Sequence, residues 1–205
     1  AFEQIEQSLV GLENGKETNA GSIKTQEPPK DQLKPLINLS EQGQFQEVLT
    51  QALQLLQQFP KSCILFNIIG AANKGLRKIE EAIEAYNKAI EIKPDYAEAY
   101  NNMGNALKCR GKLEAAIRAY KKSISIKPDY ADAYNNMGVA LKDQENLEEA
   151  IEAYNKALSI KPDFAEAYNN MGNALQEQGK LEEAMEAYAK SLTIKPDNAD
   201  AYYNM

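Results

Sequence analysis

The chain has no histidine and only two cysteines in 205 residues, and these absences exclude several functions. Without histidine the commonest general base and the commonest metal ligand are both missing. No Ser or Cys nucleophile motif and no phosphate-cradling glycine loop occurs either. The sequence therefore predicts a protein that is not an enzyme, with no cofactor and no metal site. Cys63 and Cys109 lie in different copies of the repeat described below, so they read as free thiols of a reducing, cytoplasmic compartment rather than as a redox pair. Positive charge is also short. A net charge of −7 argues against nucleic acid, which needs a basic face, and against an anionic membrane surface. No run of about 18 apolar residues is present, so no membrane insertion is expected. The opening AFEQIEQSLV lacks the basic-then-apolar order of a signal peptide. It begins at Ala1 rather than Met, which reads as an excised or processed piece.

What the chain does contain is a repeat. The stretch Ala97–Tyr130, AEAYNNMGNALKCRGKLEAAIRAYKKSISIKPDY, starts again at Ala131, at Ala165 and, cut short, at Ala199, a period of 34 residues. Such a period means a stacked array of helix pairs. With the unit numbered from 1, Tyr100, Met103, Gly104 and Leu107 (positions 4, 7, 8 and 11) share one face of a first helix, A. Glu98, Asn101, Asn102, Asn105 and Lys108 fall on the opposite face. In the second half Leu113, Ala116, Ile117, Tyr120, Ser123 and Ile124 form the apolar stripe of helix B, backed by Glu114, Arg118 and Lys121. Gly111 stands between the helices, where a left-handed helix-ending residue is wanted, and Glu145 takes that place in the fourth copy. Gly104 and Ala116 are small where two backbones are expected to approach. Pro128 ends helix B, and Asp129 with Asp132 predicts a capping box for the next helix A. The pairs Asp95/Glu98, Asp163/Glu166 and Asp197/Asp200 repeat it.

The boundaries follow from this unit. Residues 1–28 read as a short amphipathic segment, with Phe2, Ile5, Leu9 and Leu12 on one face, followed by a flexible linker. Residues 29–62 form a degenerate capping repeat, with Leu36, Val48 and Leu55 bulky where the unit has small residues. Pro35 should delay its first helix. Repeats 2 to 5 are residues 63–96, 97–130, 131–164 and 165–198, and 199–205 begin a further repeat. Ala199–Met205 supply half of a helix A, so apolar surface on the last helix B is expected to be open.

The spacing Tyr100-x2-Met103-Gly104-x2-Leu107, Ala116-x3-Tyr120 and Pro128, met three times over, resembles the tetratricopeptide repeat, with Tyr100 and Leu107 where the family pattern has Trp and Tyr. The resemblance implies an all-α fold, a right-handed superhelical solenoid of helix-turn-helix repeats, whose A helices line a concave groove that binds peptides. Carried over, the groove residues are Asn101, Asn102, Asn105 and Lys108 in repeat 3, Asn135, Asn136 and Lys142 in repeat 4, and Asn169, Asn170, Asn173 and Glu177 in repeat 5. Chaperone-adaptor members of the family hold a terminal carboxylate with cations at positions 2, 5 and 6. Here position 2 carries Glu98, Asp132 and Glu166 and position 5 carries Asn, which argues against a carboxylate clamp. Asn102, Asn136, Asn170 and Asn204 at position 6, broken by Ile68 in repeat 2, instead resemble the asparagine ladder of O-linked N-acetylglucosamine transferases. An amide offers donors and an acceptor to a peptide backbone whatever the side chains. Exposed polar filler, the helix dipole and capping explain the same residues without a ligand. The expected function is a protein-interaction module binding an extended peptide or partner surface. The alternatives are a homo-oligomeric scaffold joined by solenoid ends or the N-terminal segment, or the substrate-recruiting arm of a larger enzyme.

Overall fold

The structure is a computed structural model that describes residues 27–197 and 199–204. These residues fall into two compact units, one reaching to Arg110 and one starting at Gly111. The first unit holds α1 (Lys30–Glu41), α2 (Phe45–Gln58), α3 (Cys63–Gly75), α4 (Ile79–Ile92) and α5 (Ala97–Cys109). The second holds α6 (Leu113–Ile126), α7 (Ala131–Lys142), α8 (Leu147–Ile160), α9 (Ala165–Glu177), α10 (Leu181–Ile194) and α11 (Ala199–Asn204). Among the described residues every element is a helix, and none is long and apolar enough to cross a membrane. Within each unit every helix packs on the next. Successive A helices also touch, α3 with α5 and α9 with both α7 and α11.

The turns inside the hairpins are built as the sequence predicts. Gly43, Gly111 and Gly179 have φ of 72°, 74° and 78°, and the non-glycine residues at the same place, Arg77 and Glu145, are driven to 61° and 63°. The backbone closes the turns at Gly43, Arg77, Glu145 and Gly179 with a pair of bonds, as when Asn146 N–H donates to the Leu141 carbonyl at 3.0 Å and Glu145 N–H to that of Lys142 at 2.8 Å. This is the Schellman arrangement, in which the left-handed residue frees the last carbonyls to be satisfied.

The packing inside a hairpin departs from the expected backbone approach. A Cβ on Gly70, Gly138 or Gly172 would lie 2.5, 2.6 or 2.5 Å from a ring carbon of Tyr86, Tyr154 or Tyr188. In these three hairpins the glycine at position 8 therefore makes room for the tyrosine at position 24 rather than for another backbone. Repeat 1 reverses the sizes, with Leu36 at position 8 and Ala52 at position 24, both buried in one cluster. Exchanging large for small at two positions keeps the volume of the core, the change that packing tolerates best.

Three sequence expectations are corrected. Pro35 lies inside α1 and does not delay it; Leu33 and Leu36, buried on either side of it, hold the helix despite the missing N–H. The capping boxes expected at Asp95, Asp129 and Asp163 do not form. Helices α5, α7 and α9 start after Tyr96, Tyr130 and Phe164, none of which makes a side-chain cap. Those rings are buried instead, with the ammonium groups of Lys93, Lys127 and Lys161 at 5.2, 4.7 and 4.9 Å from their centroids. The entry to helix A is thus set by burying an aromatic ring under a cation. Thirdly, Glu27 and Pro28, read as the end of a linker, are tied to the fold. Pro28 is buried, and the Glu27 carboxylate accepts from Ser62 Oγ, from Cys63 N–H at 3.0 Å and from Cys63 Sγ at 3.1 Å. An acidic group is favoured at this helix N-terminus, where Ser62 itself caps α3 by accepting from Leu65 N–H at 3.0 Å. The amphipathic stretch from Phe2 to Leu12 lies outside the described residues.

Candidate functional site

The asparagines singled out from the sequence divide into two sets. At position 5, Asn67, Asn101, Asn135 and Asn169 are buried, with exposures of 1, 0, 2 and 8%. Asn102 is also buried, whereas Asn136 and Asn170 at position 6 and Asn105 and Asn173 at position 9 are half-buried. The expectation that all of them lie on a solvated polar face is therefore corrected for Asn101, Asn102, Asn135 and Asn169. Within the units, α3 packs against both α4 and α5, and α7 against both α8 and α9, so the buried arc of a helix A is wider than one helix contact requires.

Within each unit the two sets bond to one another across neighbouring A helices. In the first, Asn102 Nδ2 donates to Asn67 Oδ1 at 3.1 Å, and Asn67 Nδ2 donates to Tyr96 Oη at 3.4 Å. In the second, Asn170 Nδ2 donates to Asn135 Oδ1 at 3.0 Å, and Asn135 Nδ2 to Glu166 Oε1 at 3.3 Å. Position 6 of one repeat is thus stitched to position 5 of the repeat before it. The stitch changes at α11, where Asn204 Nδ2 donates to Asn173 Oδ1 at 2.9 Å and leaves Asn169 Oδ1 buried without a partner. The sequence did hold a signal for the structural set. Repeat 2 loses the position-6 asparagine to Ile68 but keeps Asn67 at position 5.

The cations of the expected groove are not alike. Lys142 Nζ is 3.2 Å from Glu177 Oε1, so two of the predicted groove residues neutralise each other. Lys108 is half-buried on the last turn of α5. Other polar groups belong to the core. Burial, then the Glu27 carboxylate, push the Cys63 thiol up, so it is a neutral buried group rather than a nucleophile. Cys109 is exposed, and both thiols are free. Away from the asparagines, a shallow cleft of about 170 Å³ opens between α8, α9 and α10. Ile151, Met171 and Leu175 give it apolar lining, with Glu183, Glu186 and Lys190 at its polar side.

Helix pairs of this period, closed by left-handed turns and packed glycine on tyrosine, define a helical-repeat protein. Residues 77–109, 104–145 and 140–179 match a family model described as TPR repeat, and residues 165–198 one described as tetratricopeptide repeat. The matched stretches cover more than half of the chain, which belongs to the tetratricopeptide repeat family. No curated protein sequence matches it. Among solved structures, the chain is similar to MamA, with 29% identity and a TM-score of 0.68 over 80% of this chain and 96% of that one. A thermophilic TPR protein of Thermus thermophilus is 20% identical with a TM-score of 0.73, over 85% of this chain and 95% of the other. YrrB, a TPR protein, is 18% identical with a TM-score of 0.64 over 99% of this chain and 98% of its own. These last two likenesses concern the fold. Tetratricopeptide repeats make this chain a protein-interaction module.

Proposed function

We propose that the chain is a non-catalytic module that binds an extended peptide segment of a partner protein along the A helices, through the half-buried amides at position 6, Asn136 and Asn170. The observation that carries this reading is the stitch. Asn135 holds Asn170 Nδ2 at 3.0 Å, which fixes the amide plane and leaves its carbonyl oxygen and second N–H for a ligand backbone. An oriented amide loses little side-chain entropy on binding, which favours affinity. Adjacent helix axes lie about 8–10 Å apart and an extended peptide advances about 3.3 Å per residue, so one amide per repeat meets about every third residue. YrrB, whose solved structure is described as having an unusual peptide-binding site, offers a precedent on the same fold.

The test starts from a peptide selected from a library on the immobilised protein. Asn135→Ala and Asn170→Ala break the same stitch and should both lower the unfolding midpoint. Only Asn170→Ala removes the ligand amide, so only it should weaken peptide binding strongly, with little dependence on salt. Equal loss of binding in both variants would show that the array's rigidity, not the amide, is what the peptide needs. Greater sensitivity to Asp132→Asn than to Asn170→Ala would mean recognition by charge.

A further inference from the structure

The position-6 amides do not all choose the same partner, and the residue at position 9 of the preceding repeat accounts for the choice. Asn102 and Asn170 donate to Asn67 and Asn135, both at position 5, at 3.1 and 3.0 Å. Position 9 in those preceding repeats is Ala71 and Val139, which offer no side-chain acceptor. Asn204 donates instead to Asn173, the position-9 residue of its preceding repeat, at 2.9 Å. Asn169, at position 5 of that repeat, keeps a buried oxygen without a partner. Positions 5 and 9 are neighbours one turn apart on a helix surface, so one amide on the next helix A reaches either. An acceptor at position 9 draws the amide to itself; an apolar residue there leaves it on position 5.

Val139 occupies that deciding position between two bridges that join α7 to α9. One is the bond from Asn170 to Asn135, and the other is the ion pair of Lys142 Nζ with Glu177 Oε1 at 3.2 Å. Val139 follows Asn135 by one turn and precedes Lys142 by one turn, so the three share a face of α7. It is half-buried, an apolar side chain where repeats 3 and 5 have Asn105 and Asn173. The valine also carries a cost. Tyr188 donates to Asn173 at 2.8 Å, whereas the counterpart Tyr154 hydroxyl is buried without a partner.

We propose that Val139 is the specificity-determining residue of the peptide site in the second unit, an inference that rests on the reading of the chain as a peptide-binding module. By offering no acceptor it keeps the Asn170 amide on Asn135, and so fixes the orientation in which Asn170 meets a ligand backbone. As the apolar residue between two polar bridges, it receives an aliphatic side chain of the peptide. That residue lies about three along from the backbone unit held by Asn170, the number that spans two neighbouring helix axes. Side chains of an extended segment alternate between two faces, so its immediate neighbours turn away from the groove and are read less strictly.

Nuclear magnetic resonance of the full chain, with isotopically labelled asparagine side chains, follows the first effect. In Val139→Asn the Asn170 amide should lose its nuclear Overhauser contact to Asn135 and gain one to the new side chain. Val139→Ile, which adds bulk but no acceptor, should leave the amide where it is. The second effect is read with a peptide selected from a library on the wild-type chain. Val139→Asn should weaken its binding about tenfold without lowering the unfolding midpoint, a separation that a merely structural role would not produce. Replacing the peptide's aliphatic residue by serine should weaken binding to wild type by a similar factor and to Val139→Asn by little, as coupled partners do in a double-mutant cycle. If the Asn170 amide stays on Asn135 in Val139→Asn, or if that variant binds the peptide as tightly as wild type, the proposal is overturned while peptide binding itself stands. If no library peptide binds the wild-type chain, the module reading falls and this inference falls with it.

Discussion

Two tyrosines at the same place in successive repeats differ in one hydrogen bond, and their stabilities should differ in sign. Tyr188 Oη donates to Asn173 Oδ1 at 2.8 Å and lies 3.1 Å from Gln176 Oε1. Tyr154 packs on Gly138 as Tyr188 packs on Gly172, but Val139 occupies the position of Asn173, and the Tyr154 hydroxyl is buried without a partner. A net hydrogen bond contributes about 0.5–1.5 kcal/mol, whereas an unsatisfied buried polar group costs about 1–3 kcal/mol. Tyr188→Phe should therefore destabilise by about 1 kcal/mol, and Tyr154→Phe should stabilise by about as much. Val139→Asn should recover part of the same energy by supplying the missing acceptor. It should do so only while Tyr154 is present, so the two substitutions should be strongly non-additive in a double-mutant cycle. In a repeat array unfolding need not be two-state, so native-state hydrogen exchange in α7 and α8 against α9 and α10 is the better assay, with urea melts alongside. Equal destabilisation by both phenylalanine substitutions would refute the reasoning.

Two further outcomes follow from the backbone and from buried phenols. Glu145 and Arg77 hold φ of 63° and 61°, so Glu145→Gly and Arg77→Gly should each raise the unfolding midpoint, by up to about 1 kcal/mol after the extra freedom glycine gains in the unfolded chain; unchanged or lowered midpoints would mean that the strain is compensated. Tyr86, Tyr154 and Tyr188 are all held above the ordinary value of 10.0, first by burial and then by nearby charge. For an acid whose folded value is raised, stability is fully present below the unfolded value of about 10 and is lost as pH climbs toward the folded one. Tyrosinate absorbance of these rings should appear together with loss of helix above about pH 10, and early titration with the fold intact would contradict it.

The period, the hairpins and the turn register were legible in the sequence because each rests on local chemistry. The left-handed turn at Glu145 could be placed by alignment with Gly111 and Gly179 alone. Side-chain partners across repeats were not legible. Helical periodicity gives the face on which Asn135 sits, but not that a second helix A covers that face. The capping boxes failed for a related reason. Asp129 has a composition suited to capping, yet the buried ring of Tyr130 under Lys127 fixes the chain entry one residue later. A local rule loses there to tertiary packing of a large aromatic residue.

The stitched asparagines bear on how such an array could read a ligand at all. In a one-dimensional stack, stability resides in the contacts between neighbouring repeats, and Asn135 contributes from a buried position. A ligand that competed for Asn170 Nδ2 would strand the Asn135 carbonyl in the interior, at a cost of about 1–3 kcal/mol, comparable with the bond it gained. On the proposed reading, the stitch would therefore resist being opened and would direct a bound peptide to the other groups of the amide. Asn173 is committed further still, since its Oδ1 accepts from both Tyr188 and Asn204. Of the position-6 and position-9 amides in the second unit, Asn170 thus retains more capacity for a partner than Asn173, and the two should not be treated as equivalent rungs of one ladder.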